Sequence, residues 1–466
     1  MTGELREACG VFGIVGRPDA AALAAEALFA LQHRGQESAG IAVFADGGIQ
    51  MRKGMGLVHE VFQADDIARL KGLTAIGHVR YSTTGASRPE NAQPLYVRAH
   101  LGVFALAHNG NLVDALAARD RLERQGAIFQ TTTDTEVVAH LMARSQAGSL
   151  EEAFQDALGR LSGGYAFAVL TPDGVLGARD PYGIRPLVLG QLDGMPCIAS
   201  ETCALTAVGA DFVREVGPGE VVRLDAQAGV TVLTPGEPRR EKLCAFELIY
   251  FARPDSRFGG ESVYQARRRL GQQLAREAPA PADVVLGVPD SSLPAAEGYA
   301  TELGLPQELG LVKNRYVGRT FIHPAQRSRE SGVQRKLTVV AEVVRGRRVA
   351  LIDDSLVRGT TMRHLTRLLR EAGATEVHVR IASPRYLHPC HYGIDTSNRD
   401  ELIAVAAQED ELRALIGADS LKFLSAQGVL RGTGRPDHCL ACFTGDYPVP
   451  VGDGAEGSGE GGLGHE

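Results

Sequence analysis

RRVALIDDSLVRGTTMRHLTRLLREAGA, Arg347–Ala374, decides how the chain is read. An apolar run with strand character ends in Asp353-Asp354, crosses a short polar loop and enters a helix at Gly359-Thr360-Thr361. Met362, Leu365, Leu368, Leu369 and Ala372 recur at helical spacing and form the stripe to be buried, and Gly373 is a natural C-terminal stop. Free N–H groups and hydroxyls at such a helix start suit a phosphate. Two acids at the carboxyl end of a strand sit where α/β sheets place ligands, and they suit vicinal hydroxyls or Mg²⁺. Adjacent loop acids are more often merely solvated. The strand–loop–helix setting lifts the functional reading above that one.

Outward from this stretch the rhythm repeats. Val284–Val288 and Val377–Ala382 read as further apolar strands separated by amphipathic helices, the pattern of a parallel α/β sheet. Leu286–Ser292 (LGVPDSS) is a second strand-end loop. The segment Lys313–Lys336 carries seven Lys or Arg against one Glu in a chain of net charge −7. A solvated loop is the plain reading; a basic lid over an anionic ligand accounts for both the charge and the lack of periodicity. These residues resemble the phosphoribosyl-pyrophosphate (PRPP) site of the type I phosphoribosyltransferases. The resemblance implies that Asp353, Asp354, Ser355, Arg358, Gly359, Thr360, Thr361 and Lys313 bind PRPP, with one Mg²⁺ per subunit at Ser291, Asp353 and Asp354.

The 466 residues are enough for two large domains, and 44% hydrophobic with 23% charged residues describes an ordinary soluble protein. No apolar run approaches the roughly 20 residues of a membrane span. The negative balance argues against a general nucleic-acid binder. Seven cysteines without an export signal suit a reducing, cytoplasmic setting. No internal repeat is visible. Thr234–Lys242 holds two prolines, a glycine and five charges, and marks a boundary. We therefore expect residues 1–8 as a prelude, 9–240 as one domain, 241–445 as the α/β domain, and 446–466 as a disordered glycine-rich acidic tail.

In the first domain helical patterns fall at Ala21–Leu31, Asn111–Arg124 and Thr135–Ser145, amid short strand-like runs. Cys9-Gly10 opens the first of these runs, after a prelude too short to be a domain. A frayed terminus would leave Cys9 a small buried hydrophobe. Removal of residues 1–8 would instead make its thiol a nucleophile, with its own α-amine as the base. HVRYSTTG (His78–Gly85) places an Arg after a strand, suited to a carboxylate. LAHNGNL (Leu106–Leu112) contains Asn-Gly, the commonest hairpin turn. The helical spacing that follows predicts a strand entering a helix through Asn109-Gly110, which exposes the donors of an oxyanion hole. TTTDTEV (Thr131–Val137) offers Asp134 to an ammonium group, or simply as a helix N-cap.

Their order, with QHRGQESAG (Gln32–Gly40) between the first two, resembles the N-terminal-nucleophile glutamine amidotransferases. The resemblance implies a four-layer αββα fold. It makes Cys9 the nucleophile and assigns Asn109 and Gly110 to the oxyanion, Arg80 to the substrate carboxylate, Asp134 to its amine and Thr83 to positioning. The two halves together resemble the amidophosphoribosyltransferase family, in which ammonia from glutamine displaces pyrophosphate at C1 of PRPP to give 5-phosphoribosylamine, the opening step of purine biosynthesis. The family further implies a homotetramer and feedback by purine nucleotides, with no nucleic acid or membrane as partner.

Cys439-Leu-Ala-Cys442 is a chelating pair, and Cys244 and Cys390 stand alone in the second half. Their spacing allows zinc as readily as iron–sulfur. One branch of the family carries a [4Fe–4S] cluster, one per subunit, and the order of these four cysteines is similar to that branch. Cys197 and Cys203 read as core. An amino-sugar-forming amidotransferase would need an isomerase domain in place of the Asp-Asp–Gly-Thr-Thr loop. A PRPP-sensing regulator would need a basic nucleic-acid surface and no Cys9.

Overall fold

The computed structural model describes residues 9–81, 87–237, 241–313, 337–394 and 402–451. The first half is a sandwich of two antiparallel sheets. One has seven strands, in the spatial order Asp211–Glu215, Val188–Leu192, Met195–Ala199, Gly10–Ile14, Thr74–Arg80, Ser38–Ala45 and Gly48–Met55. The other has six, in the order Gly229–Thr234, Val221–Asp225, Gly174–Arg179, Gly163–Thr171, Gly102–Leu112 and Leu95–Ala99. Small and β-branched residues, among them Val11, Ile76, Ala105, Ala107, Ala168 and Ile198, interdigitate between the sheets. Helices Ala20–Ala30 and Thr202–Ala207 cover the outer face of the larger sheet. Ala115–Arg124, Thr135–Arg144 and Leu150–Leu158 cover the smaller one. This is the αββα layering expected.

The second half has a parallel sheet of Val284–Gly287, Arg348–Asp353, Glu376–Ile381 and Ser420–Phe423, paired in chain order. Val284–Gly287 and the Val349–Ile352 run are apolar on both faces, as burial on both sides demands, whereas Glu376–Ile381 and Ser420–Phe423 carry His378, Arg380 and Lys422 along one face. One face packs on helices Val263–Glu277 and Leu293–Leu303. The other packs on Thr360–Glu371 and Glu409–Ile416. In Thr360–Glu371, Met362, Leu365 and Leu369 are fully buried, and Leu368 and Ala372 only partly. The stripe is narrower than its apolar spacing suggests.

Three expectations change. The strand carrying Asn109-Gly110 does not enter a helix there; it runs on to Leu112, and the helix begins at Ala115. Pairing with Gly163–Thr171, Leu112 opposite Gly163, holds those last residues extended. Residues 446–451, placed in the tail, instead pack on the core: Val449 is buried, and Tyr392 Oη donates to its carbonyl at 2.6 Å. The Thr234–Lys242 stretch is not a loose tether where it is described, since Lys242 and Cys244 N–H donate to the carbonyls of Tyr182 and Ile184. The basic segment beyond Lys313 lies outside the described residues; at its base Lys313 pairs with Leu337 in a short antiparallel ladder.

Candidate active sites

Antiparallel register builds the first site. Gly10 lies opposite Val79, so the start of the first strand meets the end of Thr74–Arg80. Cys9 Sγ accordingly reaches the Tyr81 carbonyl at 3.4 Å, with Arg80 beside it. Burial pushes the Cys9 thiol up, and the Arg80 charge opposes that shift. Arg80 is itself buried, 3.6 Å from Glu37. Thr83 lies outside the described residues.

Asn109 is wholly buried, and neither side-chain atom has a hydrogen-bond partner in the structure. An amide so placed is expensive unless something it binds completes it. Gly110 has φ +137°, and a Cβ there would stand 2.0 Å from the Gly164 carbonyl. Only glycine lets the two strands close at this point. Gly110→Ala is expected to cost about 2–4 kcal/mol of stability. It should also slow glutamine hydrolysis by at least about 10²-fold. Glutamate release and thermal unfolding measure the two effects.

Asp134 does not cap the helix it precedes: its side chain makes no cap bond. It accepts from the Leu112 N–H at 3.0 Å and faces His108 Nδ1 at 3.5 Å. Burial works against its charge, but His108 and the neighbouring N–H groups outweigh it and hold the carboxyl below its usual range. His108 stacks on Phe167, ring centroids 4.4 Å apart. Its carbonyl accepts from His78 Nε2 at 2.9 Å, and burial lowers the His78 pKa to about 3. His78 is thus a fixed neutral donor that shapes the Asn109 strand.

Behind Cys9 lies an ion network that sequence reading missed. Arg34, fully buried, donates from Nε to the Cys9 carbonyl at 3.0 Å. Its other nitrogens reach Glu201 at 2.5 Å and Glu247 at 2.7 and 2.8 Å. Glu201 also takes His33 Nε2 at 2.7 Å and Ser256 Oγ at 2.7 Å. Glu247 and Ser256 belong to the second half, so the backbone of the nucleophile is held from across the domain seam. The seam closes on the Asn109 strand as well: Asn111 Nδ2 donates to the His391 carbonyl at 2.9 Å, and a Cβ on Gly393 would lie 2.9 Å from Gly110 Cα.

The second site is the loop the sequence pointed to. Asp354 is buried; Ser291 donates to it at 2.5 Å, Ser355 at 2.7 Å and Ser292 at 3.2 Å. Ser292 also reaches Asp353 at 2.8 Å. Burial and the Asp354 charge raise the Asp353 pKa well above the usual carboxylate range; burial raises Asp354 too, against the hydroxyls of Ser291 and Ser355. Two acids strained towards neutrality suit a cation. Gly359 caps the helix with φ +71°, and a Cβ there would meet Ile403 at 2.5 Å. Thr360 is exposed and Thr361 partly so, at the helix start; Arg358 is half-buried beside them. Lys313 Nζ sits 3.0 Å from Asp290, at the neighbouring strand end.

None of the seven cysteines is in a disulfide. Cys197 and Cys203 are core residues of the first sandwich, as expected. Cys244, Cys390, Cys439 and Cys442 come together at the seam. Cys244 and Cys439 bridge as neighbouring strands, and the four thiols act electrostatically on one another within one apolar cluster. Among the described residues no three or more His, Cys, Asp or Glu are gathered to hold one metal ion.

Residues 78–207 match the glutamine amidotransferase domain family, and residues 259–383 the phosphoribosyl transferase domain family. Over 454 residues, 96% of the chain, the sequence is 50% identical to amidophosphoribosyltransferase of Bacillus subtilis (strain 168), covering 95% of that protein. It is likewise 50% identical over 454 residues, 96% of the chain, to amidophosphoribosyltransferase of Synechococcus elongatus, covering 92% of it. Among solved structures, the B. subtilis glutamine PRPP amidotransferase complexed with ADP and GMP superposes with TM-score 0.89 at 49% identity, over 96% of this chain and 98% of that one. The structure described as the allosteric regulatory enzyme of purine biosynthesis superposes with TM-score 0.90 at 50% identity, over 96% of this chain and 97% of that one.

Proposed function

The chain belongs to the amidophosphoribosyltransferases, and from that premise we propose which residues carry its two half-reactions and which groups it holds. It is the enzyme of the first step of purine biosynthesis, joining a glutamine amidotransferase to a phosphoribosyltransferase.

In the first half, Cys9 attacks the side-chain amide of glutamine after residues 1–8 are removed. A thiol that burial pushes up needs a base, and the α-amine released by cleavage, with a reference pKa near 8, supplies one. Asn109 and the Gly110 N–H stabilise the tetrahedral oxyanion; the unpartnered Asn109 amide is the observation that carries this assignment. Arg80 takes the substrate carboxylate, and Asp134, kept ionised by its surroundings, takes the ammonium. Thr83 is proposed to help position the substrate. Water then releases glutamate from the acyl-enzyme, and ammonia passes to the second half. Processing predicts an intact mass lacking residues 1–8, and full activity in a chain still carrying them would sink this mechanism.

In the second half, Asp353 and Asp354 accept from the ribose hydroxyls. The Gly359-Thr360-Thr361 helix start, with Ser355, Arg358 and Lys313, receives phosphate groups. Mg²⁺ fits here: it binds through one or two carboxylates plus substrate phosphates, and Ser291, Asp353 and Asp354 supply that donor set. When bound it neutralises charge on the departing pyrophosphate.

Four thiolates suit zinc as well as iron–sulfur. Cys244, Cys390, Cys439 and Cys442, gathered at the seam, would hold a [4Fe–4S] group, as in the branch of the family whose cysteine order they resemble. Its role is structural, tying the C-terminal segment to the core, since no step of the reaction moves an electron. A cytoplasmic homotetramer, under feedback by purine nucleotides, completes the proposal. Nucleotide feedback is supported by the ADP and GMP bound to the B. subtilis protein.

The test is glutamate release from glutamine, with and without PRPP and Mg²⁺, on protein purified without oxygen. Release that rises sharply with PRPP and matches pyrophosphate is expected. Release indifferent to PRPP would refute the coupling of the two sites.

A further inference from the structure

Among the described residues, Arg34, Arg179 and Arg267 are buried arginines with their donors spent, and Arg185 is a buried arginine whose donors are not. Arg34 bonds the Cys9 carbonyl and two glutamates. Arg179 gives Nε, Nη1 and Nη2 to the carbonyls of Arg185, Val216 and Gly183. Arg267 donates to three carbonyls, of Leu248, Tyr250 and Ala252. Arg185 is as deeply buried, yet none of its three guanidinium nitrogens has a hydrogen-bond partner in the structure. Its nearest acid, Glu247 at 3.5 Å, is already held by Arg34.

The backbone that presents Arg185 is rigid. The Asp180 carboxylate accepts from the N–H groups of Tyr182, Ile184 and Arg185, each at 3.0 Å. Arg179 clamps the Arg185 carbonyl at 2.8 Å. The Ile184 carbonyl in turn accepts from the Cys244 N–H at 3.1 Å, which sets Arg185 beside the first of the four seam cysteines. Its positive charge acts on Cys244 and Cys390, and on Cys9 as well. Ile184, Phe246 and Tyr392 belong to the same apolar cluster as Cys244, Cys439 and Cys442.

We propose that Arg185 is the counter-charge of the four-cysteine centre, donating its unspent N–H groups to the sulfur of the group that Cys244, Cys390, Cys439 and Cys442 hold. This rests on the reading of those cysteines as an iron–sulfur site. Four thiolates on a [4Fe–4S] core leave a net negative group, and a buried anion needs a paired cation and hydrogen-bond donors. Hydrogen bonds to sulfur and local charge are also what set such a group's potential. Arg185 is thus a positioning and charge-balancing residue for the centre.

The full-length protein, prepared without oxygen, is compared with Arg185→Lys, Arg185→Gln and Arg185→Met. Three quantities are read: iron and acid-labile sulfide per chain, the rate of visible bleaching in air, and the midpoint potential. Arg185→Met is expected to bleach several-fold faster or to lose iron, and to titrate at a lower potential. Gln, which keeps donors without charge, should also shift downward, and Lys, which keeps the charge, least. Should the Met variant fail to fold, the Gln and Lys potentials decide. Iron content, bleaching and potential all unchanged in the variants would overturn the assignment of Arg185. A wild-type chain that neither carries iron nor takes it up from ferrous iron and sulfide would overturn the iron–sulfur reading itself, and this inference with it.

Discussion

Cys9→Ala abolishes glutamine-dependent synthesis of phosphoribosylamine, a loss of at least about 10³-fold in kcat/KM, while synthesis from added ammonium continues. The reasoning is geometric. Cys9 is the thiol beside Arg80 and Asp134, whereas Cys197 and Cys203 are locked in the sandwich core. Removing one sulfur from a buried site leaves the Arg34 bond to the Cys9 backbone carbonyl intact, so the fold should hold. The second site does not use the thiol, and added ammonium bypasses it. Measured side by side with both nitrogen donors, the variant separates chemistry from folding. Glutamine use that survives the substitution would remove Cys9 from the mechanism.

Asp354→Asn produces the complementary defect. Pyrophosphate release falls by about 10²–10³-fold with either nitrogen donor, because the change removes charge where cation and ribose are to be held. The isosteric amide keeps the volume, but its NH₂ only donates, so the serine hydroxyls now donated to one of the two carboxylate oxygens lose their acceptor. Glutamine hydrolysis measured without PRPP reports whether the variant is folded. Transfer within twofold of the parent would place PRPP elsewhere.

The second site was legible because it is local. Strand, acids, loop and helix start lie within Arg348–Glu371, and the helix stripe shows its own period. The first site was legible only through the succession of its short motifs. The Asn109 turn misled because Leu112, Ala115, Ala118 and Leu122 keep helical spacing, while the ladder to Gly163–Thr171 holds the strand for three residues more. Glu201, Glu247 and Arg185 gave no signal, and Arg34 stood within the quoted Gln32–Gly40 stretch without a role. Their meaning arises from pairing across as many as 213 positions of chain, which no local pattern encodes. His108 stood within a quoted motif, but only the fold turns it towards Asp134. The tail boundary slipped because the glycines after Val451 dominate the composition, hiding Tyr447 and Val449, which anchor the chain before them.

Where the halves meet over the Asn109–Leu112 end of the Gly102–Leu112 strand, backbone lies almost against backbone. Gly393 rests on the backbone of Gly110, and Tyr392 fills the place a Cβ of Gly164 would take, 2.9 Å away. Such a joint has no slack for a foreign partner. Recombining this glutaminase with an unrelated transferase, or the reverse, is expected to misalign the strand of Asn109 and Gly110, proposed above to bind the oxyanion, even if both pieces fold. In protein engineering, positions 110, 164 and 393 therefore form one inheritance unit, to be exchanged together or left alone.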